Sequence, residues 1–213
     1  KKMDYTVLEE KADRKEFLNA CQRFRGKGFK NADQLKFISG EGVSPPLRRD
    51  IVEDVAYFLE SRGLEVEGIF RISGQKPSVL ALWSLFGDPK LKLAHANVHV
   101  VASAFKLYLR QSPDPVIDTN SRANLIAALC APDDHRQQMF TDALNQIPKE
   151  NKLILQRIVM LMDRFREYSD INLMDAHNLA VVFAPNLLRA PADQDLAAAL
   201  LEGQYELEIV KAL

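Results

Sequence analysis

Apolar residues recur at intervals of three and four along most of this chain, the spacing that lines one face of an α-helix. In RRDIVEDVAYFLESRG (48–63), Ile51, Val55, Phe58 and Leu59 share such a face, and Gly63 follows as a C-cap. The same spacing predicts helices over 78–87 (after Pro77), 94–111, 121–131 and 134–146. KENKLILQRIVMLMDRFREYS (149–169) is apolar over more than half its circumference, which predicts a central, buried helix. DAHNLAVVFAPNLL (175–188) opens on Asp175 as an N-cap and is expected to be interrupted at Pro185. A last helix is predicted over 193–213. Only GIFRI, inside EGIFRISG (67–74), alternates like a strand, and it has no evident partner. The expected fold is all-α, a single-domain bundle of about eight or nine helices.

Residues 1–36 break this pattern, with ten Lys and Arg against six Asp and Glu, densest in QRFRGKGFK (22–30). The division expected is a basic N-terminal extension or linker over 1–42 and a helical domain over 43–213. The 22–30 patch reads as a solvated appendage, a membrane-facing patch or a tether to a neighbouring domain. Apolar residues make up 47% of the 213 positions and charged residues 27%, ample for a core. The formal net charge of −1 gives no global field of the kind nucleic-acid binders show, so no nucleic-acid partner is expected. Cys21 and Cys130 lack metal or disulfide-motif spacing and read as small apolar packing groups in a reducing compartment. With no bilayer-length apolar run, a cytoplasmic protein is expected, with recruitment to membrane or cytoskeleton left open.

The chemistry of an autonomous enzyme is missing. No P-loop is present, and GQKPS (74–78) has the wrong spacing for one. His95 and His99 stand four apart on the predicted helix 94–111, but Ala96 occupies the place of a base in HExxH and no third ligand is evident, so no metal site is expected.

A few residues sit oddly against the pattern. Arg71 lies among Ile69, Phe70 and Ile72, between Gly68 and Gly74. Taken alone it reads as an arginine lying over apolar surface with its head in water. Lys106 and Arg110 lie four apart, flanking the stripe of Val98, Val101, Ala102, Phe105 and Leu109. They are either a solvated basic flank or a pair of cations offered to an anionic partner. Asn186 follows Pro185 inside an apolar run. It either caps a broken helix or ties down a loop, because a buried amide without partners costs about 1–3 kcal/mol.

EGIFRISG, then VHVVASAFKLYLRQSPDPVI, then NLAVVFAPNLL resemble the RhoGAP domain family in order and spacing. The resemblance covers about 43–213 and leaves the basic N-terminal stretch outside. It implies a monomeric GTPase-activating protein for a Rho-family small GTPase in its GTP-bound form: an activator, not itself an enzyme. It has no cofactor of its own, since the GTPase holds the GTP and Mg²⁺. It implies that Arg71 is the family's arginine finger, that Lys106 and Arg110 are the basic pair facing the GTPase, and that Asn186 helps hold the finger loop and the GTPase contact. On this reading Ile69 and Phe70 anchor the loop in the core, with Ile72 a further candidate anchor, and loss of the basic pair weakens binding more than it changes the finger. The alternative is a catalytically silent RhoGAP-like scaffold that binds a GTPase or another signalling protein. One departure stands out: where the family commonly has LRELPEPL, this chain has LRQSPDPV, with Gln111 and Ser112 for Glu and Leu. The departure implies an altered loop contact and leaves the cations intact.

Overall fold

Helical periodicity does become helices. In a computed structural model, residues 45–88, 91–190 and 195–213 are described. The 1–42 extension, its 22–30 patch and Cys21 lie outside those residues. The described residues hold nine α-helices: α1 Arg49–Arg62, α2 Lys76–Trp83, α3 Val98–Gln111, α4 Thr119–Leu129, α5 Asp133–Gln146, α6 Lys149–Arg166, α7 Ser169–Asn172, α8 Ala176–Leu187 and α9 Leu196–Ala212. Among them the only β pairing is one parallel bridge between Ile117 and Leu188. The fold is all-α.

Each long helix buries the stripe its spacing marked. α1 buries Ile51, Val52, Val55, Ala56, Phe58 and Leu59, and packs on α6, which buries Ile154, Leu155, Ile158, Leu161, Met162 and Phe165. Arg157 of α6 ties the pair together: Nη1 and Nη2 each donate to the Glu60 carboxylate at 2.8 Å, and Nε donates to Glu53 at 2.8 Å. α3 packs against α1, α2 and α8, and its Tyr108 is fully buried. The Tyr108 hydroxyl donates to Pro46 O at 2.6 Å and accepts from the Arg48 N–H at 2.8 Å. α4 pairs with α5, and α9 closes on α4 and α8. Between α4 and α9, the buried Arg122 meets Glu202 and Glu206, each at 2.7 Å.

Several boundaries depart from the expectation for local reasons. The predicted helix 94–111 is two pieces, a 3₁₀ turn at Leu93–His95 and then α3. Asn97 divides them, because its side chain caps the N–H groups of His99 at 2.9 Å and Val100 at 3.3 Å. His95 and His99 therefore do not share a helical face. Pro185 does not interrupt α8, which continues to Leu187. The carbonyl its missing N–H leaves free belongs to Val181, a residue on the exposed side of the helix. Gly63 does end α1, but with φ −110°, so its role is close approach: a Cβ there would lie 2.8 Å from Leu59 O. Cys130 is a free, exposed thiol rather than a packing group.

Candidate functional site

The segment 67–74 is not a strand. Two left-handed residues, Gly68 (φ 68°) and Phe70 (φ 65°), coil it into tight turns, which the alternation of its side chains could not signal. The Gly68 carbonyl accepts from the N–H groups of Arg71 at 3.0 Å and Ile72 at 2.8 Å. Ile69 and Phe70 point into the bundle with no exposure at all. The Phe70 ring meets Phe165 of α6 at 4.9 Å and Phe183 of α8 at 5.0 Å, both edge-to-face. Ile72, by contrast, is 50% exposed and does not anchor the loop. Its methyl end covers Gly68, where a Cβ would lie 2.7 Å from Ile72 Cδ1.

Turning Phe70 inward turns Arg71 outward. Its side chain is exposed, and no hydrogen bond or ion pair holds its guanidinium among the described residues. The loop beneath it is tied at three points. The Gly68 N–H donates to Asn172 O at 2.8 Å, the Gly74 N–H donates to Ser103 Oγ at 2.9 Å, and Lys106 Nζ donates to Phe70 O. Gly74 lies so close to α3 that a Cβ would fall 2.6 Å from Val100 Cα.

Lys106 is thus joined to the backbone residue before Arg71. Burial, and then the neighbouring Arg110 charge, hold its ammonium below the usual lysine range. Arg110, one turn on, is exposed and lines a groove of about 260 Å³ with Leu109, Pro115, Pro185, Asn186 and Arg189. Asn186 is 7% exposed. Its Nδ2 donates to Val182 O of its own helix at 2.6 Å, and its buried Oδ1 has no partner among the described residues. Arg71, Lys106, Arg110 and Asn186 therefore form one continuous stretch of the molecule, running from the 67–74 loop along α3 to the end of α8.

Three supporting residues carried no sequence signal strong enough to single them out. Arg189 donates to Ser112 O at 2.6 Å, Pro113 O at 3.0 Å and Arg110 O at 3.3 Å, closing the end of α3 and the SPDP loop. Ser103 hides among small helical residues. Asn172 is buried, and its only hint was a polar residue between Ile171 and Leu173. Ser112, in the departing stretch, is 1% exposed, and its hydroxyl has no partner among the described residues, an ill fit for a site where leucine would bring no polar atom.

The profile of the RhoGAP domain matches residues 50–192, which takes in the whole of this stretch. The chain belongs to the RhoGAP domain family. Its RhoGAP domain is 34% identical over 158 residues to Rho GTPase-activating protein 24 of Rattus norvegicus, covering 72% of this chain and 21% of that protein. It is 28% identical over 190 residues to Rho GTPase-activating protein gacE of Dictyostelium discoideum, covering 89% of this chain and 17% of that one. The chain thus spans about a fifth of the length of the curated relatives it matches. The crystal structure of human Rho GTPase activating protein 15 superposes with a TM-score of 0.69 at 25% identity, covering 76% of this chain and 78% of that one. Among the described residues of this RhoGAP domain, no helix is long and apolar enough to cross a membrane.

Proposed function

We propose that this chain accelerates GTP hydrolysis by a Rho-family small GTPase in its GTP-bound form, presenting Arg71 to the partner's active site in trans. The observation that carries the reading is an exposed guanidinium, unpaired among the described residues, on a loop whose backbone is tied down at Gly68, Phe70 and Gly74. The GTPase supplies nucleotide, Mg²⁺ and the residue that orients the attacking water. As charge builds on the oxygens between the β- and γ-phosphates, a planar cation placed there stabilises it, and its arrival excludes water, so screening is weak. Arginine fingers contribute about 10³–10⁵ in rate, or roughly 4–7 kcal/mol. Arg110 stands one turn beyond Lys106 and lines the groove with Asn186; on this reading both would meet acidic and main-chain groups of the switch regions.

The test is single-turnover GTP hydrolysis by a panel of Rho-class GTPases, with native protein and Arg71→Ala side by side. Native protein accelerates hydrolysis. Arg71→Ala still associates with the loaded GTPase but loses at least about 100-fold in maximal rate. Arg71→Lys recovers little, because a point charge cannot bridge two oxygens as a fork does. Association without acceleration by native protein would leave only the scaffold.

A further inference from the structure

We infer that Ser103 and Asn172 are positioning residues for Arg71, fixing the two ends of the loop that carries it. This rests on the function proposed above. A cation that stabilises developing charge must be placed to within about half an ångström, and Arg71 rises from a loop with a glycine near each end. The Phe70 ring fixes only the middle of that loop.

The near end depends on Asn172. Its carbonyl receives the Gly68 N–H at 2.8 Å, and the Gly68 carbonyl in turn receives the Arg71 N–H at 3.0 Å, so a shift of Asn172 reaches Arg71 through two hydrogen bonds. Asn172 ends α7, a helix of four residues that cannot hold itself in place. Its amide does that work. Nδ2 donates to Leu64 O at 2.8 Å and Phe165 O at 2.9 Å, and Oδ1 accepts from the Met174 N–H at 2.8 Å. The side chain is wholly buried, so it meets no partner and acts only through what it holds.

The far end depends on Ser103, whose Oγ receives the Gly74 N–H at 2.9 Å. Ser103 lies three residues before Lys106 on α3, so one helical face grips both Phe70 and Gly74. The two ends therefore answer to different helices, and the Arg71 backbone is held between them.

Two readouts test this. The first is amide hydrogen exchange in the free protein, which needs no GTPase. Ser103→Ala should speed exchange at Gly74, and Asn172→Ser at Gly68, each by about 10-fold, as loss of one hydrogen bond or its support would give. The second is single-turnover hydrolysis. Ser103→Ala should lower the maximal rate about 3–10-fold while the half-saturating concentration stays within about two-fold. Ser103→Ala suits a helix and keeps the fold, so it decides the matter if Asn172→Ser fails to fold by circular dichroism. Unchanged exchange, an unchanged maximal rate, or a rate loss matched by weaker association each overturns the inference. Failure of native protein to accelerate hydrolysis would instead overturn the proposed function, and exchange would still decide whether the ends are held.

Discussion

Phe70 adopts a backbone conformation that a bulky residue avoids, at a cost of about 1–2 kcal/mol. Burial of its ring between Phe165 and Phe183 outweighs that cost. Phe70→Ala is expected to lower stability by about 3–5 kcal/mol, read by chemical denaturation. Lys106 completes the arrangement by donating to Phe70 O from a half-buried position. Lys106→Met removes that donor while keeping the aliphatic stem. Because this donor holds the carbonyl beside Arg71, Lys106 departs from the binding role the resemblance implies for it: we expect the maximal rate of GTP hydrolysis to fall about 10-fold, a loss that saturating protein does not restore. Single-turnover titration separates this from weakened association.

At the scale of elements, the sequence made the helices legible because burial on one face leaves a period in the chain, and α1, α6 and α8 bury what that period marked. The loop at 67–74 was misleading because its alternation of large and small groups comes from successive turns rather than from pleating. Nothing in a string of letters reports two positive φ angles when one of them belongs to phenylalanine. The start of α3 was missed because Ala94 and Val98 extend the apolar spacing past a real boundary, and the cap at Asn97 decides it. Asn97→Ala should cost about 1 kcal/mol, seen as a lower midpoint in thermal denaturation. Motif wording singled out Arg71, Lys106 and Arg110, but not Asn172, Ser103 and Arg189, whose hydrogen bonds reach the backbone of the loop and of the end of α3. Their work is done through backbone atoms of residues distant in the chain, which no periodicity records.

Across the whole molecule, stability should narrow at both ends of the pH range. Burial pushes the Tyr108 hydroxyl up to about 12, from an ordinary value of 10.0. The unfolded chain ionises first, so this contribution is complete below pH 10.0 and is lost as pH rises toward about 12. Burial also holds the His99 imidazole below its ordinary 6.5. The unfolded chain then takes up a proton before the folded one does, so this contribution is complete above pH 6.5 and is lost as pH falls through the depressed folded value. Denaturation midpoints across pH should show both slopes, with Tyr108→Phe flattening the alkaline one and His99→Gln the acidic one. The contact of Phe70 with Phe165 and Phe183 has a wider consequence. Neither ring has any exposure, so a scan for surface residues that touch a partner would pass over both. On the proposed function, trimming either one would let the outward cation wander, and a change at the centre of the bundle would leave the partner GTPase loaded for longer while every exposed residue of the chain stayed intact.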